Sequence, residues 1–248
     1  MDNTMLVGLS HQMASYRSMD VIANNIANAS TPAFKRESVQ FEEYVKSMPP
    51  QEGDPAGITQ RISFVQDRGV TRDLTAGKFE TTNAPFDVAI NGSGYFTVST
   101  PNGDRYTRNG HFTLDGDGKL VTQEGNAVQG DGGDITVTPD DGDVTIAEDG
   151  TISGKQGQLG RLKVTAFANE RQMRKEGNSL YATEQAPDDS APPAKLTQGM
   201  LETSNVEPVV EISHMIEVMR AYDATTTLSQ SHEQMMRDAI DKLGNMPN

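Results

Sequence analysis

The chain has 248 residues, enough for one domain or two, but only 35% are hydrophobic and 6% aromatic, with 23 Gly and no Trp. Acidic residues outnumber basic ones 35 to 21, a net charge of −14, which disfavours nucleic acid and anionic membrane as partners. The absence of Cys removes disulfides, thiolate nucleophiles and Cys-ligated metal together.

Asp2, His11, Arg17 and Asp20 interrupt the apolar residues of the first twenty, so a Sec signal peptide is not expected there. No run approaches the roughly 18 apolar residues of a membrane span, and the chain is expected to be soluble. From Leu6 the larger apolar residues fall at Leu9, Met13, Tyr16, Met19, Ile22 and Ile26, steps of three and four that predict a helix with one apolar stripe. Asn3 or Thr4 is the expected cap, and Ser30-Thr31-Pro32 the stop, because the residue before a proline is driven out of the α region. Within this helix Asn24, Asn25 and Asn28 cluster on or beside one face. Asn is a weak helix former, so the cluster is assigned either to a solvated helix end or to amides that bond between packed helices and fix their register.

A Pro-rich stretch over 47–61 reads as a linker, and from 62 to 185 the pattern changes to short alternating segments separated by Gly and Asp. Strands are predicted at 86–90, 95–99, 105–109, 112–114, 119–122, 144–147 and 162–168, with Asn102-Gly103, Asp115 to Gly118 and Asp149-Gly150 in turns that need positive φ. A second Pro-rich stretch, 186–199, reads as another linker. In the last segment, 200–248, Ile212, Met219 and Ile240 share one heptad position while Met215, Tyr222, Met236 and Leu243 share the position three later. Thr226, Ser229 and Glu233 interrupt those columns, as suits a lateral contact among several helices better than an isolated coiled coil. Asn205 or Ser204 is the expected cap, with Glu207, Pro208 and Glu211 in the first turn, where the macrodipole favours acid.

The fold class is therefore α+β, with residues 1–46 and 200–248 forming a discontinuous helical module around a central all-β domain. Net charge is −1, −8 and −5 over 1–46, 47–199 and 200–248, so the acidity sits mainly on the β part. Two amphipathic helices alone bury little and draw their stability from packing, which points to an assembly subunit.

Chemistry has little foothold. His11, His111, His214 and His232 are scattered without metal spacing. Gly92-Ser93-Gly94 is too short for a nucleophile elbow, and Thr97 stands where a dinucleotide fingerprint needs its third Gly; a bend between strands is the simpler assignment. Asp115, Asp117 and Gly118 hint at a calcium loop, but Lys119 and Asn126 occupy ligand positions, and turn chemistry explains the cluster better. Asp140, Asp141 and Asp143 could mimic a glycosidase pair but have no aromatic sugar platform. No catalytic, cofactor or metal site is assigned, and no enzymatic role is expected.

Three blocks in order carry a resemblance: ANNIANASTPAFK (23–35), APFDVAINGSGYFTV with RYTRNGHFTLDGDGKLVT (84–122), and QGMLETSNVEPVVEISHMIEVMRAYDATTTL (198–228). Through them the chain resembles the flagellar basal-body rod and hook family of axial proteins. Its length suits a rod protein with one β domain, and MDNTMLVGLSHQMASYRSMDVIANNIAN with RDLTAGKFETTNAPFDVAI looks most like the proximal-rod type, the distal-rod type being the near alternative. The family usually carries Thr-Gly before the Phe-Lys pair. Here Pro32-Ala33 stand there, and Ala resists the positive φ that a Gly at the chain exit would supply.

The resemblance implies passage through the flagellar type III export apparatus without signal cleavage. It also implies helical stacking in the periplasm as a homo-oligomer beside other rod proteins, torque transmission, and a wall around the export channel. The expected assembly interface comprises Leu6, Leu9, Met13, Tyr16, Met19, Ile22, Asn24, Asn25, Ile26, Asn28, Phe34, Ile212, Met215, Ile216, Met219, Tyr222, Met236, Ile240 and Leu243. Two readings from other classes stand beside it: a carbohydrate-active periplasmic β enzyme, and a free-standing binding module.

Overall fold

The computed structural model describes residues 3–48, 60–177 and 179–244. Helix α1 spans Asn3–Ala27 and helix α2 spans Pro208–Gly244. Between them run β1 (Glu37–Met48), β2 (Gln60–Arg72), β3 (Phe79–Thr81), β4 (Val88–Asn91), β5 (Tyr95–Thr100), β6 (Gly103–Thr107), β7 (Phe112–Leu114), β8 (Leu120–Thr122) and β9 (Ala127–Gly130). The series continues with β10 (Gly133–Asp134), β11 (Thr145–Ile146), β12 (Thr151–Gly154), β13 (Gly157–Arg161), β14 (Val164–Thr165), β15 (Arg174–Lys175), β16 (Tyr181–Ala182), β17 (Lys195–Gln198) and β18 (Met200–Glu202). The architecture is α+β. Neither described helix is long and apolar enough to cross a membrane.

The chain divides into two units. One takes the segment up to Ala27, Glu37 to Asp73, and the chain from Glu207; the other takes 28–36 and 74–206. This partition differs from the boundaries drawn at 46, 62, 186 and 200. Two causes are visible. The long strand β2 pairs with β1 along its whole length and therefore belongs with the helices rather than with the β body. The Pro-rich stretch from 186 ends in β17, whose Leu196 sits opposite Ile90 of β4 and is buried in the core, so it is part of the body rather than a tether. Most of the other expected linker, 49–59, lies outside the described residues.

In the second unit, which forms the β body, every described strand pair is antiparallel. The largest sheet has the order β15-β16-β6-β5-β9-β8-β7, with β10 on β9 and β14 on β5; β11-β12-β13, β17-β4 and β18-β3 form smaller sheets. Alternation along the short strands sends Val88, Ile90, Phe96, Val98, Phe112, Leu120, Val128 and Ile152 into one core. Phe96 and Phe112 meet there edge to face at 5.0 Å. Tyr95, Phe167, Met173 and Tyr181 form a second cluster on the other face of β5.

The predicted turns lie where Gly is required: Gly103, Gly118 and Gly150 have φ of 98°, 78° and 87°. The Asp115 carboxylate accepts the N–H groups of Asp117 at 2.9 Å and Lys119 at 2.8 Å, which is turn chemistry and matches the assignment made for that cluster.

Candidate assembly surface

Within the helical unit α1 and α2 run antiparallel. Asn25 meets Glu211, Gln12 meets Thr226, and Gly8 lies against Ser229, where an added Cβ would sit 3.1 Å from the hydroxyl oxygen. The helices differ in length, 25 residues against 37, so about the last three turns of α2 run past the start of α1.

The face that α2 turns inward is Glu211, Met215, Val218, Tyr222, Thr225, Ser229 and His232, buried or half-buried and spaced four and three apart. Of the two expected heptad columns, the one holding Met215 and Tyr222 therefore faces the partner helix. The other does not: Ile212, Met219 and Ile240 are exposed, Met219 at 50% and Ile240 at 64%, as are Ile216 and Met236. The polar gaps are satisfied locally, since the Thr226 hydroxyl donates to Tyr222 O at 2.9 Å and accepts from the Gln12 amide at 3.1 Å. Only the backbone of Leu243 is described.

On α1 the expected stripe is split in the same way. Leu9, Met13 and Tyr16 are exposed, Met13 at 66%, while Leu6, Met19, Ile22 and Ile26 are half-buried. Leu9, Met13 and Tyr16 line, with Arg17, Val65, Asp67 and Tyr222, an open groove of about 550 Å³ between α1, β2 and α2. Its rim ion pair, Arg17 Nε to Asp67 Oδ2 at 3.3 Å, is half exposed and worth little.

The Asn cluster resolves residue by residue. Asn25 is fully buried, donates to Glu37 O at 2.8 Å and Glu211 Oε2 at 3.0 Å, and accepts Glu37 N–H at 2.9 Å. One amide thus ties α1, α2 and β1 together. Asn24 is exposed, and Asn28 accepts from the Thr31 hydroxyl at 3.2 Å. Phe34 departs from the expectation of a contact surface: it is buried in the β body, with the Lys175 ammonium 4.4 Å above its ring, because α1 ends at Ala27 and the turns over 28–33 carry the chain off the helix before Phe34.

Neither expected cap holds α2. The helix begins at Pro208, whose fixed φ suits the first helical position, so Asn205 lies too far upstream. Its amide donates to Thr75 O at 3.0 Å and accepts Arg36 N–H at 2.7 Å, while Ser204 Oγ accepts Val206 N–H. The side chains of Asn3 and Thr4 lie outside the described residues.

Sequence reasoning missed two groups. Val209, Leu228 and Met235 on α2 are exposed apolar residues outside the heptad columns. On the β1–β2 hairpin, Phe41, Tyr44, Val45 and Val70 are exposed. Phe41 and Val45 share one face of β1 and Tyr44 the other, so no single apolar alternation marked the strand.

In the β body the segment after α1 is held by charge. The Lys35 ammonium donates to Glu202 Oε1 at 2.5 Å and Thr75 O at 2.8 Å, and Arg108 Nε donates to Glu202 Oε2 at 3.1 Å. Burial pushes the Lys35 ammonium below its ordinary range, against the pull of Glu202. Burial also pushes the Glu202 carboxyl up, but Arg108, Lys35 and the Gly77 N–H together outweigh it and hold it below the usual carboxylate value. Ala33, in the position discussed above, has φ of 56°, so an Ala occupies the left-handed region.

Three family models match in chain order: "Flagella basal body rod protein" over 5–35, "Flagellar hook protein FlgE/F/G D1 domain" over 89–154, and "Flagellar basal body rod FlgEFG protein C-terminal" over 197–242. Among curated relatives, the flagellar basal-body rod protein FlgF of Caulobacter vibrioides is 40% identical over 98% of this chain and 99% of its own. This chain belongs to the flagellar basal-body rod protein family. The rod protein FlgF of Mesorhizobium japonicum is 32% identical over 98% and 99% of the two chains. The rod protein FlgG of Buchnera aphidicola subsp. Acyrthosiphon pisum is 35% identical over 88% and 91%. The three matched segments cover most of α1, the strands from β4 to β12, and α2.

Proposed function

We propose that this rod-family chain is a structural subunit of the proximal flagellar rod, built into a helical array of copies through its terminal helices. The observation that carries the reading is the contrast between the units: among the described residues the β body leaves Phe79 as its one exposed large apolar side chain, whereas Met13, Tyr16, Met219 and Ile240 stand open on the helices. A run of apolar residues on both helices of one unit has a purpose if neighbouring molecules cover it.

The proximal reading is favoured over the distal one because the relative named FlgF matches across nearly the whole of both chains, at higher identity than the FlgG relative over a shorter share. On this reading the interface residues are those named above, without Phe34, and with Val209, Leu228 and Met235 added. Subunits reach the periplasm through the flagellar type III export apparatus without signal cleavage, join other rod proteins, carry torque, and leave a channel. The work is mechanical and needs no catalytic residue.

The test is Met219→Asp. A carboxylate on a face that becomes buried on assembly is costly to desolvate, so the variant keeps a folded β body but yields no rods and no swimming. Normal swimming by cells carrying it would remove the exposed face of α2 from the interface.

A further inference from the structure

The two stretches of the β body from which the chain leads to α1 and α2 are fastened to each other. Ala33 N–H donates to Glu202 O at 2.7 Å, Asn205 N–H to Phe34 O at 3.3 Å, and Arg36 N–H to Asn205 Oδ1 at 2.7 Å. A third stretch, the chain entering from β2, joins them. Thr203 N–H donates to Lys78 O at 2.7 Å, and Gly77 approaches so closely that a Cβ there would sit 1.8 Å from Thr203 O.

All three stretches and one turn of the sheet converge on a single carboxylate. Glu202 Oε1 takes Lys35 Nζ at 2.5 Å and Gly77 N–H at 3.0 Å; Oε2 takes Arg108 Nε at 3.1 Å. The remaining Arg108 nitrogens donate to the carbonyls of Gly92 at 3.0 Å, Gly94 at 3.2 Å and Ile90 at 3.4 Å, around the β4–β5 turn. Lys35, Arg108 and Glu202 are all buried.

A buried ion cluster adds little net stability, since desolvation offsets most of the attraction, but removing one member leaves another charge stranded without water or partner. Peeling away the Glu202 stretch alone strands the buried Arg108 at once, and peeling away the Lys35 stretch strips Glu202 of one of its two cationic partners. The cluster therefore opposes partial opening far more than it raises total stability.

We propose that Lys35, Glu202 and Arg108 form an internal clasp that makes both chain exits part of the cooperative unit of the β body, so that neither exit peels off while the body stays folded. The helices can then gain or lose partners without loosening the fold they spring from. The clasp does not depend on the rod reading, although in a rod it would deliver load from either helix to the body through both exits.

Amide hydrogen exchange on the dissolved full-length chain tests it, with no assembly involved, so failure of the rod reading would leave the result interpretable. In the unaltered protein the amides of Ala33, Gly77, Thr203 and Asn205, after correction for intrinsic rates, should match the protection of Thr97 and Leu120 in the core to within about tenfold. A larger gap, with the exits faster, overturns the clasp. Glu202→Gln, which strands Lys35 and Arg108, should accelerate the exit amides by at least about tenfold more than it accelerates Thr97 and Leu120. Unchanged exits, or equal acceleration everywhere, would also overturn it. Should that variant not fold, Lys35→Met, which leaves Glu202 on Arg108, carries the same comparison.

Discussion

Ala33 shows how a single residue can hold a left-handed backbone at a cost. Its φ of 56° is the left-handed conformation that Gly adopts freely, and the surrounding contacts hold it: the residue is buried and its N–H is bonded to Glu202 O. Ala33→Gly should therefore stabilise the β body by about 1 kcal/mol, the relief of left-handed strain less the entropy of a more flexible unfolded chain, and raise its melting temperature. Glu202 offers a pH test at the same scale. Its folded-state pKa lies below the ordinary 4.5, so its contribution to stability is complete above 4.5 and is lost as pH falls through the lower folded value. Urea unfolding should show stability dropping below about pH 4.5, with a shallower drop in Glu202→Gln, which at neutral pH is already about 3–5 kcal/mol less stable. The importance of the Asn cluster could be read from the sequence, because a weak helix former needs a reason to be there. That Asn25 alone would be buried could not, since its partners Glu37 and Glu211 lie at remote positions in the chain.

At the scale of elements, legibility followed the strength of the local pattern. Strand β7 and the turns at Gly103, Gly118 and Gly150 were visible because two-residue alternation and the demand for positive φ act locally. The β1–β2 hairpin was hidden, since its apolar residues lie on both faces and its charged positions look like loop. The columns of α2 were also visible, but which one faces α1 was not. That depends on where Glu211 and Tyr222 land, and contact with α1 decides it. The difference between enclosed and open elements has a measurable consequence. Phe96→Ala, in the core of β5, should cost about 3–5 kcal/mol by the loss of a large side chain and its cavity, whereas Tyr44→Ser on the exposed hairpin should change the isolated chain by less than about 0.5 kcal/mol. Denaturant midpoints of the two variants settle the comparison.

For the whole molecule, the sequence pattern placed helices at both ends and sheet between, and the α+β architecture follows it. The exact partition did not come through, because β2 joins the helical unit by pairing with β1, and segment 28–36 joins the β body through Phe34 and Lys35. Long-range pairing of this kind leaves no periodic trace. What unites the levels is an uneven distribution of apolar surface, closed in one unit apart from Phe79 and open in the other. Oxidation footprinting of methionine reads that distribution directly, because an exposed thioether oxidises and a covered one is spared. The account predicts that Met13, Met219 and Met236 oxidise rapidly in the dissolved chain and are protected in purified basal bodies, while the buried Met173 is protected in both. Equal oxidation of Met13 and Met219 in the two preparations would contradict it.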